Sequence, residues 1–124
     1  NDDQEGYTCK ILNRTLQYNE SKTLIKVDAV GTGFMKLSRK AIMDLWNNSP
    51  LYKNEENPYD SIDRMICNVE LQNGILISED YIICQKLKKI NYDIWMDPTF
   101  TLNHLGPKKF LGDFPKFIKK NGYT

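Results

Sequence analysis

Two adjacent carboxylates open the stretch Ser78-Glu79-Asp80-Tyr81. An acid pair of this kind is the clearest candidate for chemistry in the chain, because a carboxylate can take the proton from a hydroxyl as its oxygen attacks an electrophile. Ser78 is a good N-cap, and Ile83, Leu87 and Ile90 recur behind it at i, i+4 and i+7, so the acids fall in the first turn of a helix. Acids in that position also gain roughly 0.3 to 1 kcal/mol from the helix dipole, so capping alone accounts for them. At about 100° per residue Asp80 shares a sector with Ile83, Cys84 and Leu87, while Glu79 lies at its edge. Placement on the packed side makes Asp80 the better base of the two.

The single histidine, His104, stands in Thr101-Leu102-Asn103-His104-Leu105-Gly106. One imidazole does not make a metal site, since a hard cation such as Mn²⁺ or Mg²⁺ also needs carboxylates and, commonly, substrate phosphates. Gly31-Thr32-Gly33-Phe34 follows an apolar strand; its glycines either allow positive φ or close approach to a ligand, or mark a simple bulge. With no third glycine and no helix at the required places, this is not a dinucleotide fingerprint. The pairs Lys88-Lys89, Lys108-Lys109 and Lys119-Lys120 read as solvated surface, although Lys108 and Lys109 lie close enough to His104 in sequence to meet a diphosphate.

The elements that must position these residues are short. Tyr7 to Tyr18 predicts a strand or two, and Thr23 to Val30 a better strand whose Ile25, Val27 and Ala29 form one apolar face. After the glycines a strand is expected to resume over 34–37. Ser38 caps a predicted helix from Arg39 to about Asn48, with Ile42, Leu45 and Trp46 as its stripe. Leu51 to Arg64, with Pro58, reads as a long loop of the sort that borders binding sites. Met65 to Leu71 is an expected strand and Gln72-Asn73-Gly74 a turn, after which Ile75-Leu76-Ile77 is a short apolar run feeding into Ser78. Asp93 to Met96 predicts a strand, Asp97-Pro98 a turn, and Phe100 to His104 an extended stretch. In the tail, Gly112 and Pro115 interrupt a helical spacing of Phe110, Phe114, Phe117 and Ile118, which predicts two short turns of helix. The fold class expected is α/β, or α+β: one domain over 1–124, with a mixed short-stranded sheet and two or three packed helices.

Composition bounds what such a domain does. In 124 residues with 40% apolar content there is enough for one small core. Seventeen basic and sixteen acidic residues leave a formal charge of +1, which excludes the basic footprint of non-specific nucleic-acid binding. No apolar run approaches the roughly 18 residues needed to span a bilayer, so no membrane span is expected. Cys9, Cys67 and Cys84 are odd in number and widely spaced, fitting neither a disulfide framework nor a CxxC site; reduced thiols and a cytoplasmic location are the expectation. Three sequons, at Asn13, Asn19 and Asn47, are set aside as chance matches in an Asn-rich chain.

Taken in order, VDAVGTGFMKLSR (27–39), SEDYIIC (78–84) and IWMDPTFTLNHLG (94–106) resemble glycosyltransferases of GT-A type. The likeness is to a group found among viruses, phages and bacteria, in which a strand with GxGF precedes SEDxxFC, IWxDP and HxG. It covers about two thirds of the chain and corresponds to the acceptor-side, C-terminal half of such enzymes. Ile83 stands where the group usually has Phe. The resemblance implies Asp80, with Glu79 as the alternative, as general base toward the acceptor hydroxyl. It implies His104 as a ligand of Mn²⁺ or Mg²⁺, Gly31, Thr32, Gly33 and Phe34 as the lining of the sugar pocket, and Trp95 with Asp97 as its support. The partners implied are a nucleotide-sugar donor and a glycan or other hydroxyl acceptor. The donor-binding half with its Asp-x-Asp motif is expected outside this chain, which lacks an initiator Met. Surface left bare by its absence is expected to be covered in a homo-oligomer or by another chain. The alternative is a non-catalytic carbohydrate-binding or interaction module with a GT-A-like fold; a small α+β protein with accidental matches is a third.

Overall fold

The computed structural model of the protein describes residues 8–53, 62–100, 104–105, 109–110 and 112–124. In chain order the strands are β1 (Cys9–Lys10), β2 (Ile25–Val27), β3 (Ala29–Val30), β4 (Leu51–Lys53), β5 (Ile62–Arg64), β6 (Glu70–Gln72), β7 (Ile75–Ile77), β8 (Ile94–Met96), β9 (His104–Leu105) and β10 (Lys109–Phe110). The helices are α1 (Arg39–Asn47), α2 (Glu79–Lys89) and α3 (Phe114–Lys120), with a 3-10 turn over Thr32–Phe34. The chain is thus of mixed helix and strand. Where a single mixed sheet was expected, the described strands pair only as antiparallel couples: β1 with β3, β2 with β8, β4 with β5, β6 with β7 and β9 with β10. No helix of the described residues is long and apolar enough to cross a membrane. Two compact units divide the chain, one of Asn1–Val30 with Ile94–Thr124 and one of Gly31–Asp93.

The first unit joins the two ends of the sequence. Ile25 faces Met96, Lys26 faces Trp95 and Val27 faces Ile94 across the β2–β8 pair. The period of two puts Ile25, Val27 and Ile94 on the buried face, and Lys26 and Trp95 on the other. The expected strand over 23–30 is broken at Asp28. Its carboxylate accepts the Leu12 amide at 2.8 Å, and its own N–H goes to the Lys10 carbonyl at 2.8 Å, so beyond this point the strand pairs with β1. Leu16, Ala29, Phe114 and Ile118 complete the core. The tail forms one helix, not two turns. Asp113 caps it by accepting the Lys116 N–H at 3.1 Å, and Pro115 falls in the first turn, where a missing N–H costs nothing.

In the second unit α1 and α2 carry the core: Ala41 and Leu45 from one, Ile82, Ile83, Cys84 and Leu87 from the other. Ser38 caps α1 as expected, accepting the Ala41 N–H at 3.1 Å. Of the expected stripe Leu45 is buried, but Ala41 joins it in place of Ile42 and Trp46, which remain 45% and 37% exposed. A cluster on the opposite flank of the helix sets this rotation. Tyr92 donates to the Asp44 carboxylate at 2.5 Å, and Lys40 donates to the same carboxylate at 2.7 Å and to the Tyr92 hydroxyl at 3.0 Å. With positions 40 and 44 turned toward Tyr92, positions 41 and 45 face inward.

The stretch expected as a long loop begins and ends in the antiparallel pair β4–β5, and Pro58 lies outside the described residues. Asn73 and Gly74, at φ 50° and 77°, form the tight turn between β6 and β7; two positive φ values are what a two-residue hairpin requires. The strand expected from Met65 onward is delayed to Glu70. Lys86 of α2 holds the intervening segment by donating to the Met65 and Ile66 carbonyls at 2.7 and 2.9 Å and to the Asn68 side chain at 2.6 Å. Desolvation lowers the pKa of its ammonium.

Candidate functional site

The acidic pair sits where the spacing placed it, in the first turn of α2. Ser78 adopts the extended N-cap conformation, yet its hydroxyl makes no capping bond; its carbonyl instead accepts from Tyr81 and Ile82 at 3.1 and 3.0 Å. Glu79 is exposed and Asp80 half-buried, in keeping with the helical-sector argument. The Asp80 Oδ1 accepts a short hydrogen bond from the Thr32 hydroxyl. Residues 48 apart in sequence are thereby joined, and no pattern in the sequence announced it. Oδ2 takes no hydrogen bond from the described residues, which leaves one carboxylate oxygen able to accept a proton.

Thr32 opens the 3-10 turn that replaces the expected continuation of the strand, and Phe34 closes it with 74% of its surface exposed. Neither Gly31 nor Gly33 has a positive φ, so neither serves a left-handed backbone here. A side-chain carbon added at Gly33 would meet nothing within 4 Å. Phe34, next in the chain, is a largely exposed aromatic residue, the kind of side chain that can offer an apolar face to a ligand.

The remaining expected site residues belong to the first unit. Trp95 lies on the outward face of β8, 38% exposed and opposite Lys26. Asp97 is committed to a turn: its Oδ1 accepts from the Thr99 hydroxyl at 2.6 Å and the Thr99 N–H at 2.9 Å, and these bonds hold its carboxyl below the ordinary carboxylate range. His104 lies in β9, where its backbone faces Phe110. The surroundings of its imidazole, and those of Lys108, lie outside the described residues.

Among the described residues no three His, Cys, Asp or Glu side chains converge closely enough to hold a metal ion. A second titratable cluster, Lys40, Asp44 and Tyr92, went unnoticed at the sequence level. The i, i+4 spacing of Lys40 and Asp44 was legible there, but Tyr92 is 48 residues from Asp44 and gave no signal. Comparison of the chain with models of protein families, with curated proteins and with solved structures gives no match.

Proposed function

We propose that this chain is the acceptor-side part of a glycosyltransferase of GT-A type, with Asp80 as general base. The observation that carries the reading is the hydrogen bond from Thr32 to Asp80, which brings the GTGF and SED segments together at one place in the second unit. In the reaction, Oδ2 of Asp80 takes the proton of an acceptor hydroxyl while that oxygen forms a bond to the anomeric carbon of the donor sugar. The bond from that carbon to the nucleoside diphosphate breaks, and the diphosphate leaves with the electron pair. Phe34 supplies an apolar face for a sugar ring. Glu79, exposed at the edge of the turn, is the weaker candidate for the base. A divalent cation, with His104 as the one ligand assigned to this chain, would offset charge on the departing diphosphate.

The second reading, a carbohydrate-binding module without transfer, uses the same contact between Thr32 and Asp80 to shape a groove and needs no base. Asp80→Asn separates the two. The full chain is titrated with uridine and guanosine diphosphate sugars, with and without Mn²⁺, while melting temperature and nucleotide release to added glycans are followed. A transferase that holds its donor through this chain or its self-assembly shows a donor-dependent rise in melting temperature that survives Asp80→Asn and a nucleotide release that does not. A module shows no release in either protein, with a glycan-dependent stabilisation lost in Phe34→Ala. No shift with any donor sinks donor binding by these 124 residues unaided, and no shift with any glycan sinks the acceptor-side reading and the module alike.

A further inference from the structure

The three sequons set aside on frequency grounds are treated very differently by the fold. At Asn19 the whole carboxamide is engaged: Oδ1 accepts from the Thr23 and Leu24 N–H groups, both at 2.9 Å, and Nδ2 donates to the Ser21 and Thr23 hydroxyls at 2.9 and 3.2 Å. Substituting that nitrogen removes one of its two donor hydrogens and so breaks a bond within the turn that leads into β2. At Asn47 the chain is still helical, and the sequon hydroxyl, on Ser49, is 4% exposed and donates to the Leu45 carbonyl at 2.7 Å. An enzyme that must read the hydroxyl cannot reach it there.

Asn13-Arg14-Thr15 is different on every count. Asn13 and Thr15 are both exposed, in a segment outside helix and strand. Asn13 Oδ1 accepts the Thr15 N–H at 3.0 Å, so asparagine and threonine are already folded toward each other, while Nδ2 makes no hydrogen bond with the described residues. The segment is anchored through its neighbours. Arg14 donates to the Asn121 carbonyl at 2.6 Å and lies 4.9 Å over the Tyr123 ring, and the Leu12 N–H is held by Asp28. Among the described residues, none of the hydrogen bonds that fix this part of the fold uses the Asn13 side-chain nitrogen.

We propose that Asn13 is an acceptor site for N-linked glycosylation and that the folded chain withholds the other two sequons. The co-substrate class is an oligosaccharide carried on a polyisoprenyl diphosphate. A bond forms between Asn13 Nδ2 and the anomeric carbon, the bond from that carbon to the diphosphate oxygen breaks, the lipid diphosphate leaves with the electron pair, and the amide proton passes to a base of the modifying enzyme. This inference is independent of the transferase reading, and it requires an exported chain in place of the cytoplasmic location expected from the cysteines.

The test uses the folded full chain, with synthetic peptides spanning each sequon as unfolded controls. Each is incubated with an oligosaccharyltransferase and a lipid-linked oligosaccharide, and occupancy is mapped by peptide mass spectrometry. The expected result is modification of all three peptides but of Asn13 alone in the folded chain, lost in Thr15→Ala, with the melting temperature of the glycosylated chain unchanged. An unmodified Asn13 in the folded chain, or occupancy of Asn19 or Asn47 equal to it, overturns the proposal.

Discussion

The two units of this chain are stabilised by the same burial of aliphatic side chains but are assembled from contacts of opposite range. In the second unit the pairs β4–β5 and β6–β7 and the helices α1, capped by Ser38, and α2 are each closed by neighbours in sequence. In the first, β2 meets β8 across some seventy intervening positions, as in Ile25 opposite Met96, and Leu16 bonds to the carbonyl of Thr124. Loop-closure entropy must be overcome before such non-local pairs form, whereas a turn of the Asn73-Gly74 kind closes its hairpin almost without loop cost. The candidate base therefore stands on the locally determined unit, and the residues assigned to supporting roles stand on the other.

Core truncation tests that contrast most severely. Ile25→Ala in the first unit and Leu87→Ala in the second, both 1% exposed, should each lower stability by about 2–5 kcal/mol in chemical denaturation. Amide exchange should show the loss of protection concentrated in the unit that carries the substitution; a uniform loss from either variant would dissolve the comparison. A smaller effect is expected where a side chain organises an irregular segment within the local unit. Lys86→Ala strands the Met65 and Ile66 carbonyls and the Asn68 amide, and should cost about 1–3 kcal/mol, with faster exchange around 65–69.

The two serine caps sharpen the picture further. Ser38→Ala removes a capping bond and should cost about 1 kcal/mol, whereas Ser78→Ala, which removes none, should cost at most a few tenths. Equal costs would show that the Ser78 hydroxyl caps α2 after all. The smallest effect concerns pH. Hydrogen bonds from Lys40 and then Tyr92 hold the Asp44 carboxyl below the ordinary carboxylate range and push the Lys40 ammonium up. A depressed carboxyl contributes stability that is complete above its unfolded-state pKa and is lost as pH falls through the folded-state value. Tyr92→Phe should move the Asp44 titration, followed by carbon NMR, toward the ordinary range, while Lys40→Met should move it further because the Lys40 bond is the larger cause.

How much of this was legible beforehand follows the same division. The α1 and α2 helices, the turn at Asn73-Gly74 and the place of Glu79 and Asp80 in a first helical turn came from caps, periodicity and turn chemistry, all of which act over a few residues. The interruption of the strand at Asp28 did not, because it depends on Leu12 and Lys10 supplying and taking hydrogen bonds from outside the strand. Nor did the single helix α3. Pro115 reads as a breaker until it is known that Asp113 starts the helix two residues earlier.

For the candidate site, residue types and local order named the acids, the glycines and the exposed aromatic Phe34, and the helical sector argument separated Asp80 from Glu79. The tertiary structure alone decided that Thr32 reaches Asp80, that Gly31 and Gly33 keep ordinary backbone angles, that Asp97 is used up in a turn with Thr99, and that Tyr92 joins Lys40 and Asp44. The physical reason is common to all four. Backbone periodicity and capping depend on neighbours along the chain, whereas the partner that a polar side chain finds depends on which distant segment the packing of apolar faces brings within about 3 Å.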